Sequence, residues 1–267
     1  VGSTAAGCLG SQGHTVIGVD VNAAKVAALN KGRAPVFEPG LDALIASAHA
    51  AGRITAVAEL TDELDECDIA IVCVGTPSDK FGGHNLKNIA QVTEAITAAL
   101  KPGRAQRNGK APLTLAYRST MEPGSCETVI WPIIEGHLGA AAADTVELVY
   151  NPEFLREANA IDDFFNPPKI VIGTRDGKPS ATMAKLNEGI DAPMFEVGLR
   201  EAEITKFVDN AWHAVKVAFA NEIGRLCQNL DISARKVHDI FKSDTKLNLS
   251  AHYTRPGGAF GGSCLPK

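Results

Sequence analysis

The sequence predicts an α/β fold: a doubly wound parallel sheet over residues 1–198, followed by a helical segment over residues 199–267. Three observations carry this reading. Strand-length runs stay apolar on both faces, as strands buried in a parallel sheet do. These runs alternate with helix-like stretches, the pattern of a sheet covered on both sides. From about Leu199 the strand pattern stops and one long helical segment replaces it.

The strands are expected in "HTVIGVDV" (14–21), "DIAIVCVGT" (68–76), "PLTLAYRST" (112–120), "VELVYNPEF" (146–154) and "KIVIGT" (169–174). Helices are expected in "NAAKVAALNKG" and in "NIAQVTEAITAALKPG", the second closed by a Pro-Gly stop. "GRAQRNGKAP" reads as a polar surface loop. "LREAEITKFVDNAWHAVKVAFANEIGRLCQNL" reads as one helix with no glycine before Gly224, and "SARKVHDIFKS" as a shorter helix before a glycine-rich tail.

The composition, 45% hydrophobic and 21% charged over 267 residues, is that of a globular protein. A net charge of −5 and the lack of basic runs argue against nucleic acid and membrane surfaces as partners. Six cysteines without CxxC spacing fit a reduced, cytoplasmic protein in which most thiols are small buried groups. The chain opens without Met, inside an apparent helix, and stops three residues after Cys264. Both ends are expected to be cuts.

A dinucleotide site opens with a strand and a G-x-G-x-x-G turn, and the pyrophosphate rests on the N-terminus of the following helix. Here Gly2 alone fits that turn, and "STAAGCLGSQG" fits the helix, with Gly13 closing it. Asp20 then ends a strand 18 residues after Gly2. It suits either a helix N-cap or a ligand of the adenosine ribose that repels a 2′-phosphate, favouring NAD over NADP. Lys25 nearby is a cation that tolerates phosphate. Gly75-Thr76-Pro77 and Arg118-Ser119-Thr120 end two further strands at the carboxyl edge, where open α/β sheets bind ligands.

At 100° per residue, Lys206, Asn210, His213 and Asn221 fall on one side of the long helix, with Phe207, Val208, Val215 and Phe219 among the residues opposite. That stripe is either a solvated face or a set of groups suited to sugar hydroxyls and phosphate. "NPEFLREA" places Glu153 and Glu157 four residues apart, on a shared face if helical. A partly buried carboxylate there suits a general base, while surface charges at a helix start are the plainer reading. Gly261-Gly262 presents Cys264 three residues from Lys267, either as an accessible nucleophile or as a free thiol in a linker.

Six stretches, taken in order and running essentially end to end, closely resemble the nucleotide-sugar 6-dehydrogenases. They are "VIGVDVNAAKVAALNKGRAPVFEPGL", "CVGTPSDK", "YRSTMEPGS", "NPEFLREANAIDDFFNPPKIVIG", "AEITKFVDNAWHAVKVAFANEIG" and "RPGGAFGGSCLPK". "WHAVKVAFANEIG" and "TKLNLSAHYTRPGGAFGGSCLPK" resemble most the branch acting on GDP-mannose. UDP-glucose or a UDP-N-acetylhexosamine is the alternative substrate.

The resemblance implies a Rossmann-like NAD-binding domain over 1–198, a central domain over 199–267, and a homodimer formed through the 199–228 helix. It implies a four-electron oxidation of a sugar C6 alcohol with NAD as cofactor and no metal. Cys264 is implied as nucleophile, Lys206 as oxyanion stabiliser, Asn210 as a positioning group, and Glu153 with Thr120 as the water-activating pair. Val1, Asp20, Lys25, Thr76, Thr120 and Lys267 match positions around NAD. Glu157, Lys206, Asn210, His213, Asn221, His252, Tyr253, Arg255 and Gly258 match positions around substrate.

The sequence departs from the family in five respects. The family's first strand with its leading glycines, the aspartate after the "CLPK" lysine and the C-terminal domain lie outside this sequence. His252 and Gly258 stand where a Tyr and a Phe are usual. Two rival readings remain: a single-oxidation β-hydroxyacid dehydrogenase, which needs no cysteine, and an inactive nucleotide-binding or dimerisation module.

Overall fold

The computed structural model describes residues 1–60, 62–77, 83, 85–104, 109–246 and 248–250. The chain divides into two compact units, Val1–Val208 and Asp209–Lys267.

The first unit opens with α1 (Gly2–Ser11), in which Thr4 through Gly10 are buried. Its small residues set how closely it packs. A Cβ at Gly7 would lie 2.8 Å from Leu41 Cδ1, and one at Gly10 would lie 2.9 Å from both Ala48 Cβ and Ile54 Cδ1. α1 therefore rests directly on α3 (Leu41–Ala50) and on β2 (Ile54–Val57). Gly13 closes α1 as expected. It takes φ +101°, and the N–H groups of Gly13 and His14 return to the carbonyls of Gly10 and Leu9.

β1 (Val16–Val19) pairs in parallel with β2, Val16 opposite Ile54. The sequence reading missed β2. It has only four residues, with exposed Thr55 between buried Ile54 and Ala56. Asn30, just after α2 (Ala23–Leu29), holds it from the side. Its amide bonds both the carbonyl and the N–H of Ala56, at 2.8 and 2.7 Å.

A second sheet runs β3-β4-β5-β6-β7, with β3 Ile69–Val72, β4 Leu113–Tyr117, β5 Val146–Tyr150, β6 Ile170–Thr174 and β7 Met194–Gly198. β3, β4 and β5 are parallel, as expected. β6 departs from the parallel expectation and pairs antiparallel with β5, while β7, which the sequence reading missed, runs parallel to β6. The β5–β6 connection carries one short helix, Ala160–Phe165, and β6 starts at the edge where β5 ends.

Both faces of β4 and β5 are buried. Leu113, Leu115, Tyr117, Val146, Leu148 and Tyr150 pack on one side, with residues of α4 (Lys87–Ala99) and α5 (Trp131–Leu138). Ala116 and Val149 join Ile170, Ile172 and Met183 on the other. The expected surface loop 103–112 is corrected at one residue. Arg104 is 1% exposed, and its guanidinium donates to the carbonyls of Leu64 and Cys67. Buried carbonyls need donors, and this arginine supplies them.

Among the described residues the first unit also contains α6 (Ala142–Thr145), α7 (Ala160–Phe165) and α8 (Ala181–Leu186). The continuous helix α9 (Leu199–Asn229) crosses from the first unit into the second. The second unit contains the rest of α9 and α10 (Ala234–Ser243), which Ser233 caps by accepting from the Lys236 N–H. Phe219 and Phe241 join the two at 5.5 Å between ring centroids.

Candidate active site

The carboxyl ends of β3, β4 and β5 meet at one edge because the three strands are parallel. The turns after β3 and β4 are tied to each other: the Thr76 hydroxyl donates to the Thr120 carbonyl at 2.7 Å, and the Ser119 hydroxyl to Val74 O at 2.6 Å. Asn88, from α4, holds the Gly75 carbonyl at 2.9 Å. α1 begins at the same edge, where a Cβ on Gly2 would sit 3.4 Å from Cys73 Cβ. A helix start leaves its first backbone N–H groups without intrahelical partners, which makes it a seat for an anion.

Asp20 follows β1 and does not cap α2. Asn22 is the cap, its Oδ1 accepting from the N–H groups of Ala24 and Lys25. The Asp20 carboxylate instead accepts from the Asn22 N–H at 2.9 Å and from Lys25 Nζ at 3.1 Å. It remains partly exposed, and a carboxylate's four lone-pair sites leave capacity for more donors. An acid after β1 and a free helix start after Val1 suit a dinucleotide with unmodified ribose hydroxyls. Val1, Asp20, Lys25, Thr76 and Thr120 are the described residues with which it would be held.

After β5 the chain runs as an open loop from Asn151 to Arg156. Glu153 and Glu157 therefore share no helical face: Glu153 is largely buried and Glu157 is exposed in a turn. Pro152 and the left-handed Ala158 (φ +64°) work against a helix here. Lys206 from α9 reaches this loop. Its Nζ donates to Glu153 O at 2.6 Å and to Glu153 Oε1 at 3.1 Å, with both side chains under 15% exposed. Glu153 Oε2 accepts from the Leu155 N–H at 2.7 Å, and the Phe154 ring lies 5.6 Å from the ammonium. An amine and a carboxylate are thus brought together at the strand edge.

Two acids that sequence reasoning passed over hold this loop. Asp163, 4% exposed, takes the Arg156 backbone N–H at 2.8 Å and its Nη2 at 2.6 Å, and this guanidinium holds the Asp163 carboxyl below its ordinary range. Glu38 accepts from the N–H groups of Ala158 and Ala160 at the start of α7. The signal available was Glu38 inside "FEPGL", but its partners lie about 120 residues away and no local pattern points to them.

The described thiols of the first unit are poor nucleophiles. Burial pushes Cys8 up to about 12, and burial with the nearby Glu203 carboxylate pushes Cys126 well above the ordinary range. Burial also raises Cys67 and Cys73. In the second unit, Asn210, His213 and Asn221 are exposed along α9. The apolar residues Val215, Phe219 and Leu226 are each about half exposed there too. Cys264, His252, Tyr253, Arg255, Gly258 and Lys267 lie outside the described residues. No helix among the described residues is long and apolar enough to cross a membrane.

Comparison with known proteins matches residues 1–191 to the NAD-binding domain of the UDP-glucose/GDP-mannose dehydrogenase family, and residues 200–267 to its central domain. The chain is 42% identical over its whole length to a GDP-mannose 6-dehydrogenase of Pseudomonas putida, and spans 60% of that protein. It superposes on the crystal structure of a ternary complex of GDP-mannose dehydrogenase from Pseudomonas aeruginosa with TM-score 0.92 and 40% identity, covering 100% of this chain and 60% of the other. A UDP-glucose dehydrogenase from Pyrobaculum islandicum follows at TM-score 0.81 and 31% identity, covering 99% and 59% of the two chains.

Proposed function

The chain belongs to the UDP-glucose/GDP-mannose dehydrogenase family, and from that premise we propose that it forms the NAD-binding and central part of a GDP-mannose 6-dehydrogenase. The observation that carries the chemistry is the Lys206–Glu153 pair at the carboxyl edge of β5. The higher identity and closer superposition with GDP-mannose enzymes than with the UDP-glucose enzyme support the guanosine sugar.

Oxidising a CH2OH to a carboxylate removes two hydrides and takes up one water. NAD, when bound, supplies the acceptor for each hydride. The alcohol O–H gives up its proton to solvent, and Lys206 stabilises the alkoxide this leaves until departure of the hydride turns it into the aldehyde. Cys264 Sγ then adds to the aldehyde, making a thiohemiacetal whose carbon again bears a transferable hydrogen. Loss of that hydride leaves a thioester. Glu153, with Thr120, takes a proton from the water that attacks the thioester, and the thiolate leaves. Asn210 orients the reacting C6, and Glu157, His213, Asn221, His252, Tyr253, Arg255 and Gly258 contact the nucleotide sugar. Lys267 completes the cofactor contacts.

The half-exposed apolar residues of α9 support a homodimer formed through residues 199–228. We place the enzyme in the cytoplasm, where nucleotide sugars and NAD are found together.

Turnover of the full-length protein with GDP-mannose and UDP-glucose, measured side by side, tests the substrate. Preferential use of the uridine sugar overturns the guanosine reading. Cys264→Ser tests the route: it is expected to abolish uronate formation, and unaltered uronate formation favours a mechanism without the thiol.

A further inference from the structure

We propose that Glu203 is a positioning residue for the reaction, acting through Lys206. The proposal rests on the function given above. Glu203 is fully buried, three residues before Lys206 on α9, and among the described residues no cation forms an ion pair with its carboxylate. Its two oxygens accept from the backbone N–H groups of Gly124 (2.5 Å) and Cys126 (2.8 Å). Those groups begin the turn Cys126–Ile130 that runs into α5. Ser125, at the capping position, makes no side-chain cap, because its hydroxyl is turned to Glu122 O. Glu203 is therefore the cap of a helix far away in sequence, and it lies where the partial positive charge of that helix is greatest.

The consequence is mechanical. The first turns of α9 are seated at two points. Ala202 fits over Gly173 of β6 so closely that a Cβ there would lie 2.5 Å from Ala202 Cβ. Glu203 bonds the start of the α5 segment. A helix fixed at these two points is held in both height and rotation, so Lys206, one turn on, arrives at Glu153 O and Oε1. The third tie, Arg200 to Glu127, is exposed, and pairs of that kind fix little. Losing the Glu203 bonds frees α9 to rotate, and the ammonium is the functional group that this rotation displaces.

A double-mutant cycle in the full-length protein tests this, with wild type, Glu203→Gln, Lys206→Ala and the double variant assayed with GDP-mannose and NAD. Competitive lysine acylation read by mass spectrometry runs beside it. Glu203→Gln keeps the shape but turns a donor toward one of the two N–H groups. The expected result is a fall in kcat of about tenfold, with KM for the sugar held within about twofold, and no further loss when it is added to Lys206→Ala. Lys206 is also expected to acylate about tenfold faster in Glu203→Gln, with Lys25 and Lys178 unchanged. An equal loss with and without Lys206, or unchanged labelling of Lys206, overturns the proposal. A wild-type protein that oxidises no nucleotide sugar overturns the functional reading instead, and the labelling still decides whether Glu203 places Lys206. Should Glu203→Gln not fold, Glu203→Asp, which keeps the charge on a shorter arm, carries the same predictions with a smaller loss.

Discussion

The Lys206 ammonium donates to the backbone carbonyl of Glu153 and to its carboxylate, at 2.6 and 3.1 Å. One bond goes to the backbone and the other to a side chain, so the lysine keeps a backbone anchor whatever the Glu153 side chain does. A donor fixed in this way is organised before an oxyanion forms and costs little to reorganise. Lys206→Ala is expected to lower kcat by about 100- to 1,000-fold, the usual loss when one oxyanion donor is removed. Affinity for NAD should stay unchanged, because Asp20, Thr76 and the start of α1 are untouched. Steady-state kinetics with a parallel NAD titration checks both. A weakened NAD affinity with normal kcat would move Lys206 from the chemistry to the cofactor.

Asp20 and Lys25 make a second pair, at 3.1 Å, whose members pull cofactor choice in opposite directions. In the proposed cofactor site the carboxylate would repel a 2′-phosphate while it occupies the ammonium that would welcome one. Asp20→Ser removes the repulsion and releases Lys25 together. The ratio of kcat/KM for NADP to that for NAD is expected to rise about tenfold, which is 1.4 kcal/mol of relative binding. A ratio that does not move would show that the acid does not face the ribose.

Much of this site was legible in the sequence because its parts are local. Gly75-Thr76-Pro77 and Ser119-Thr120 follow apolar runs directly, and Lys206 stands on a helix whose length the sequence shows. β2 and β7 were not legible. Four residues, or five beginning with exposed Met194 and Phe195, hold too little apolar pattern to stand out from loop. The open form of the Asn151–Arg156 loop was hidden for another reason. It is held by Asp163 and by Lys206, seven and 53 residues away in sequence from the groups they bond. Nothing in the sequence singles out Glu203, because its partners lie 77 and 79 residues before it. Long-range satisfaction of buried groups leaves no periodic trace.

Asp163 gives the fold a predictable acid limb. Its carboxyl is held below the ordinary carboxylate range, first by the side-chain bond from Arg156. A depressed folded-state pKa contributes stability above the unfolded value, near 4, and that contribution is lost as pH falls through the folded pKa. Melting temperatures of wild type and Asp163→Asn, taken from pH 7 downward, check this. The variant is expected to melt lower at pH 7, and the gap should begin to close only as pH falls below about 4, towards the depressed folded-state pKa. A gap that stays constant down to low pH would mean that packing, not the ion pair, accounts for the difference.

Two helical glycines should respond in opposite directions to the same substitution. Replacing a helix-interior glycine by alanine gains up to about 1 kcal/mol of helix propensity when the methyl has space. Gly136 in α5 has nothing within 4 Å of its added Cβ, so Gly136→Ala is expected to stabilise by about that amount. At Gly10 in α1 the same methyl meets Ala48 Cβ and Ile54 Cδ1, both at 2.9 Å. Neither neighbour is the end of a long flexible chain, so α1 must lift from α3 and β2. Overpacking of this kind costs about 1–3 kcal/mol, more than the propensity returns. Gly10→Ala is therefore expected to destabilise, and by lifting the helix whose start receives the dinucleotide it should also weaken NAD binding. Urea unfolding of both variants decides the stability claim, and calorimetric titration with NAD decides the second. A Gly10→Ala protein as stable as wild type would show that α1 has slack against the sheet, and the small residues of "STAAGCLGSQG" would then need another explanation.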